Sequence, residues 1–292
     1  MNRGTLYGII AYGLWGILPL YWKLLQGVQS LEILAHRIIW SLLFVILLLF
    51  LQNNWRWLNR IISRPTILLF FSSSAILLAV NWLTFIWAVN NGFIVEASLG
   101  YFINPLLNVL LGVLFLKERL RIGQSVALMT TACGVSWLTI HYGSFPWIAL
   151  TLAITFGIYG LLRKIAPLDS IEGLALETAL LMIPAVYALF YFEQQHTAQF
   201  LHNTVATGLL FAAGIITSVP LILFSSAARR ISLTALGFIQ YIAPTLQFLT
   251  GILIYHEPFN SARFVGFSLI WAALALYTLE GLHNARRRQR SS

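Results

Sequence analysis

Two ionisable side chains, Arg37 and Glu177, stand in stretches that otherwise carry almost nothing but apolar residues. Arg37 lies in Ser30–Phe50, SLEILAHRIIWSLLFVILLLF, and Glu177 in Ser170–Phe190, SIEGLALETALLMIPAVYALF. Each stretch is close to the ~20 apolar residues a helix needs to cross a bilayer. A charge deep in such a span costs roughly 2.5–3.5 kcal/mol on insertion scales, so it faces protein or a wet cavity. A guanidinium or carboxylate placed there can pair internally, grip a solute of opposite charge, or carry a proton. His36, next to Arg37, adds an imidazole able to titrate near neutral pH, although neighbours on a helix point about 100° apart. His36, Glu177 and Glu96 are therefore the candidates for proton coupling.

The two stretches are copies. Ser30/Ser170, Glu32/Glu172, Leu34/Leu174 and Ala35/Ala175 coincide, and Glu177 stands where Arg37 does. A second pair matches too: PLLNVLLGVLFLKE (105–118) against PTLQFLTGILIYHE (244–257), with Pro, Gly and Glu in register. Upstream of these, LGYFINP corresponds to LGFIQYIAP, with two extra residues in the second copy. Gly13-Leu-Trp-Gly16 answers Gly157-Ile-Tyr-Gly160. Three matches in one order indicate duplication, with repeats over 1–142 and 143–292.

The composition says what the duplicated unit is. The 292 residues are 59% hydrophobic and only 9% charged, where a soluble domain has about 25% charged residues. The fold class is an all-α polytopic membrane protein. Ten spans are expected, near Gly4–Tyr21, Leu31–Leu51, Ile67–Val89, Ile94–Leu116, Gly123–Ile140, Trp147–Leu161, Ile171–Phe192, Thr204–Ala227, Leu233–Tyr255 and Ala262–Leu282. The apolar start is read as a retained helix rather than a cleaved leader. Fifteen of the eighteen Lys and Arg fall on alternate loops if both termini are cytoplasmic, Arg163 and Lys164 among them, which is the positive-inside pattern. That placement accounts for the net charge of +9 without nucleic acid, and the basic tail Arg286–Arg290 faces anionic lipid. Five helices per repeat, an odd number, put the second copy in the membrane upside down, and inverted repeats place a site near the midplane between halves.

The segments HRIIWS (36–41), NWLTFIWAVNNGFIVEASLGYFINPLLNVLLG (81–112) with KERL (117–120), and LGFIQYIAPT (236–245) resemble the RarD-like branch of the EamA family, in the drug/metabolite transporter superfamily. The resemblance spans nearly the whole chain. It implies ten helices in two EamA repeats, a bacterial inner-membrane location and export of small metabolites or drugs.

Depth arithmetic bears on the charges. Arg37 and Glu177 each lie about six residues into their spans, roughly 10 Å at 1.5 Å per residue. Entering a core about 30 Å thick from opposite faces, they are left roughly 10 Å apart in level. They either stretch to a salt bridge or bracket a solute with opposite charges of its own, such as a zwitterion. Local capping for Arg37 and a bond to a neighbouring helix for Glu177 are the plainer readings. Trp40, one turn from both His36 and Arg37, is placed to shape a pocket wall. Tyr101 and Asn104 share a face next to Pro105, and Gln240 and Tyr241 occupy the matching stretch, so aromatic and amide groups meet where repeats would touch. Trp15 and Tyr159, flanked by glycines, suit close helix approach with an inward ring. Asn81 and Trp82 are weaker candidates of the same kind. Glu96 fits a helix start, and Glu118 and Glu257 read as anchors at helix starts.

Several classes are set aside. None of Lys23, Lys117 and Lys164 stands in a phosphate-binding loop, so ATP is not the expected energy source. The histidines form no ligand spacing, and no metal or cofactor is expected. Cys133, the single cysteine, rules out an intrachain disulfide and reads as a core residue. The competing class is an integral membrane enzyme acting on a lipid or membrane-soluble substrate, for which Asp169, Glu172 and His196 form no cluster. A secondary transporter with a small-molecule substrate, set in the lipid bilayer, is the expectation.

Overall fold

The computed structural model describes residues 2–53, 55–141, 146–256 and 261–290. Among these residues the chain is entirely helical, without a strand. The elements are α1 (Arg3–Lys23), α2 (Ser30–Leu51), α3 (Arg56–Ser63), α4 (Pro65–Asn90), α5 (Ile94–Leu116) and α6 (Ile122–His141). They continue with α7 (Trp147–Ile165), α8 (Ser170–Gln194), α9 (Thr204–Ala228), α10 (Leu233–Gln240), α11 (Ile242–Leu253) and α12 (Ser261–Arg290). Polar side chains mark the starts: Asn2 caps α1 by accepting from Gly4 N–H at 3.1 Å, and Asn203 caps α9 by accepting from Ala206 N–H at 3.0 Å.

Among the described residues, eight segments are long and apolar enough to cross a membrane: α1, α2, α4, α5, α7, α8, α9 and α10–α11 taken together. Of the ten expected spans, α6 does not reach that apolarity, and α12 contributes the shorter apolar stretch Phe264–Tyr277. In α6 the cause is its hydroxyls, and these are satisfied within the helix. Ser125, Thr130, Thr131 and Thr139 each donate to the carbonyl four residues back, at 3.2, 2.9, 2.9 and 2.9 Å. α6 and α12 pack on each other. Outward apolar residues follow helical spacing, as in Leu43, Leu47 and Phe50 of α2 and Ile183, Tyr187 and Phe190 of α8. Such stripes suit acyl chains. Cys133, expected in the core, is exposed: it lies on an outward face of α6.

Three elements differ from the sequence reading. α3 occupies what reads as a basic loop; eight residues are too few for a span, yet Trp57 and Ile61 at i, i+4 bury one face. α7 runs four residues past Leu161, so Arg163 lies inside a helix, 1% exposed, and is no loop cation. The ninth expected helix breaks after Gln240, at the two-residue insertion. Pro244 has no N–H to offer the Gln240 carbonyl, which removes the hydrogen bond that would hold that turn.

The helices pack in a pattern that maps onto itself when matched elements are exchanged. α1 lies on α9 and α11, and α7 on α4 and α5; α2 lies on α9, and α8 on α4; α2 meets α8, and α6 meets α12. Close approach depends on small residues. A methyl on Gly214 of α9 would meet the Trp40 carbonyl oxygen of α2 at 2.6 Å, and one on Gly16 of α1 would meet Leu246 of α11 at 2.6 Å. Glu118 does anchor a helix start, but that of α10, more than a hundred residues on in the chain. It accepts from Leu233 N–H at 2.8 Å, Thr234 N–H at 3.0 Å and the Thr234 hydroxyl at 2.6 Å. Glu257 lies outside the described residues.

Candidate functional site

A narrow cavity, with about 30 Å³ of room for water-sized molecules, lies among α1, α2, α4, α5, α7, α10 and α11. Small-molecule sites span roughly 300–1,000 Å³, so a solute larger than water must push the walls apart. Its apolar wall is aromatic: Tyr12 and Trp15 from α1, Trp82 and Phe85 from α4, Tyr101 from α5 and Phe156 from α7. These rings brace one another edge to face, with Trp15 5.4 Å from Phe156 and Phe85 5.5 Å from Tyr101.

Arg37 is the charged group of this wall. It is 3% exposed, and its guanidinium lies over the indoles of Trp22 and Trp82, 4.5 and 4.3 Å from their centroids. Each such contact contributes from ~0.5 to about 2 kcal/mol, the higher figure applying where water is excluded. Nε donates to Thr217 Oγ1 of α9 at 3.0 Å, whereas Nη1 is buried with no hydrogen-bond partner. No carboxylate among the described residues pairs with it.

Amides complete the polar wall. Asn81 donates to the Leu152 carbonyl at 3.0 Å and to Thr155 Oγ1 at 2.9 Å, and accepts from Tyr101 at 3.4 Å. Gln240, presented at the break between α10 and α11, accepts from Asn108 at 2.8 Å and Tyr12 at 3.3 Å. Gln247 donates to the Trp15 carbonyl at 3.1 Å. Gln240 Nε2 and Gln247 Oε1 are buried without partners.

Glu177 does not reach this cavity. It is 0% exposed, 3.5 Å from Nη1 of Arg163 in an ion pair that makes no hydrogen bond at that nitrogen, and it accepts from the Tyr159 hydroxyl at 3.3 Å and from Ser74 of α4. Arg163 also donates through Nε to Ser225 of α9 at 3.0 Å and through Nη2 to the Ser170 carbonyl at 2.9 Å. Gly173 leaves room for that guanidinium, since a Cβ there would collide with Nη1. Thr217 and Ser225 are eight residues apart on α9, about 12 Å along its axis. The Arg37 and Glu177 sites are thus separate, and no salt bridge joins the two residues.

Of the residues singled out from sequence, Arg37, Trp15, Tyr101 and Gln240 meet at the cavity wall, joined by Asn81 and Trp82. Tyr159 belongs to the Glu177 network. Asn104 is one bond behind the wall, donating to the Ala153 carbonyl at 2.7 Å and accepting from Asn108 at 3.1 Å. Tyr241 faces the other way, stacked on Phe102 at 6.1 Å. Trp40 packs against Phe211 at 4.6 Å and donates to His36 Nδ1 at 3.2 Å; His36 itself lies on Phe200 at 4.4 Å. Glu96 is buried in the first turn of α5, off the cavity wall. Tyr12, Phe156 and Trp22 carried no signal of their own, being uncharged rings in apolar runs; Gln247 had one, since it stands opposite Asn108 in the matched motifs. Among the described residues no three of His, Cys, Asp and Glu gather as a metal site.

Residues 2–140 match the EamA-like transporter family. "Uncharacterized transporter YojE" of Bacillus subtilis is 47% identical over 95% of this chain and 94% of its own length. "Protein RarD" of Streptomyces exfoliatus is 45% identical over 98% of this chain and 91% of its own, and "Protein RarD" of Escherichia coli K12 is 43% identical over 98% and 97%. A solved structure described only as a protein crystal structure superposes with a TM-score of 0.69 at 19% identity, covering 95% of this chain and 98% of that one. That likeness concerns the fold alone.

Proposed function

The chain belongs to the RarD-like branch of the EamA-like transporter family, an integral protein of the bacterial inner membrane, and we propose that it is a secondary active transporter exporting a small amphipathic metabolite, amino acid or drug. Its substrate would occupy the cavity at Arg37, with Trp15, Tyr101 and Gln240 as contacts and Asn104 behind them. The observation that carries this reading is that both halves build the wall of one cavity around Arg37, a buried charge that no carboxylate among the described residues pairs with, whereas Arg163 has Glu177. The packing that maps onto itself supports two repeats, 1–142 and 143–292; in the proposed topology they insert in opposite senses as ten spans with both termini cytoplasmic.

In this reading the Arg163–Glu177 network is the closed counterpart of the cavity, on the opposite side of the membrane. Alternating access then requires the cavity to close as that network opens. Protonating Glu177 would remove the charge that holds Arg163, so Glu177 is the proposed coupling carboxylate; His36 and Glu96 touch neither site.

The test is uptake by purified protein in liposomes. Amino acids and amphipathic drugs are offered with and without a pH gradient, beside Arg37→Gln. Saturable flux that falls at least tenfold in Arg37→Gln is the expected result. Flux unaffected by the substitution would move the site elsewhere. No saturable flux of any solute would count against transport itself.

A further inference from the structure

We infer that the cavity takes an organic monoanion, a carboxylate or similar singly charged head on an apolar ring-bearing body, with a hydrogen-bond donor elsewhere on the molecule. This rests on the transport reading of the same cavity and gives the charge class of its solute.

The guanidinium of Arg37 lies over the indoles of Trp22 and Trp82, 4.5 and 4.3 Å from their centroids, and its Nε donates to Thr217. Its Nη1 is buried and unpartnered. In-plane N–H groups are how a guanidinium holds a carboxylate, with charge-assisted bonds about twice as strong as neutral ones. A bound cation would face the same positive group with nothing to offset it, since no described carboxylate lines the cavity. Glu177, the one carboxylate at a matched depth, is held by Arg163. A zwitterion would therefore leave its ammonium without a counter-charge. The wall carries one unmatched positive charge, and a monoanion cancels it.

The unpartnered amide atoms refine the class. Gln240 Nε2 offers a further buried donor, and Gln247 Oε1 an acceptor that calls for an O–H or N–H on the solute. The surrounding rings favour a flat apolar body over a flexible chain, because rings stack without ordering many torsions.

The experiment measures binding to the purified full-length protein by tryptophan fluorescence and thermal shift. The probes share one ring and differ in charge: phenylacetate, phenylacetamide, phenethylamine and phenylalanine. Phenylacetate is expected to bind at least tenfold tighter than the other three, with Arg37→Gln erasing that gap and leaving the weak binding of phenylacetamide in place. Equal or tighter binding of the amide, the amine or the amino acid by the unaltered protein would overturn the inference, and so would the absence of binding by all four. Should Arg37→Gln fail to fold, the ranking in the unaltered protein decides alone. Chloride that displaces phenylacetate at equal concentration would reduce the site to a simple halide site. Decanoate, an acid of membrane type, binding as tightly as phenylacetate would overturn the ring-bearing body. Counterflow of the same probes in liposomes separates the two readings. Phenylacetate bound but not moved would fail transport and keep the anion site, whereas preferential binding and movement of phenethylamine would keep transport and fail the anion site.

Discussion

Arg37 and Arg163 are two answers to the same electrostatic problem. Both are at most 3% exposed, and both donate through Nε to a hydroxyl of α9 at 3.0 Å. Arg163 is then neutralised within the protein by Glu177, supported by Ser74 and Tyr159 on the carboxylate side. Arg37 has the indoles of Trp22 and Trp82 beside it and no counter-charge among the described residues. A buried charge without a counter-charge is costly to keep, whereas a pair of opposite charges limits that cost. The comparison separates a charge that holds helices together from one poised for a ligand.

The difference is broken most forcefully at Glu177. Glu177→Gln leaves Arg163 buried and unpaired, a situation that costs about 3–5 kcal/mol. Thermal unfolding in detergent should show that loss, and Arg163→Met combined with Glu177→Leu should recover most of it. Arg37→Met breaks no ion pair, so its cost should be smaller by at least about 2 kcal/mol. Equal losses for Glu177→Gln and Arg37→Met would mean that the two arginines are the same kind of residue.

The aromatic partners sharpen the comparison at a lower magnitude. Trp82 lies 4.3 Å from the Arg37 guanidinium, and Phe71 lies 5.7 Å from that of Arg163. Trp82→Leu should weaken anion binding at Arg37 by roughly tenfold, equivalent to about 1.4 kcal/mol and within the range of a desolvated cation–π contact. Phe71→Leu should leave anion binding within about twofold, because Arg163 keeps its carboxylate. Titration of phenylacetate against both variants checks the contrast.

How much of this was legible in the sequence depends on the kind of signal. Spans announce themselves, because about 20 apolar residues in a row have few other uses. Arg37 was legible for the same reason, as a charge inside such a run. Arg163 was not: a cation near a helix end looks like a positive-inside loop residue, and only the packing of α7 on α9 and of α8 beside it buries the side chain. The matched Gly-x-x-Gly motifs put Trp15 and Tyr159 at equivalent positions, yet one lines the cavity and the other bonds Glu177. Equivalent positions in the two motifs thus carry different chemistry. The roles of Gln247 and Tyr12 were illegible because they come from which helices meet at the break after Gln240, a tertiary fact. α3 was missed because eight residues fall below any span test.

The finest distinction lies in the two α9 hydroxyls. Thr217→Val removes the acceptor of Arg37 Nε and keeps the side-chain volume, and Ser225→Ala does the same for Arg163. A hydrogen bond to a charged group contributes about 1.5–3 kcal/mol, but the loss that is felt depends on what else holds the guanidinium. Arg163 keeps Glu177 and the Ser170 carbonyl at 2.9 Å, so Ser225→Ala should lower stability by about 1 kcal/mol at most. Arg37 keeps no carboxylate, so after Thr217→Val its guanidinium can shift beside the two indoles. Anion binding should then fall roughly fivefold, about 1 kcal/mol, with stability nearly unchanged. The small effect thus appears as binding at one site and as stability at the other, and the reverse assignment would mean that the ligand is held at Arg163.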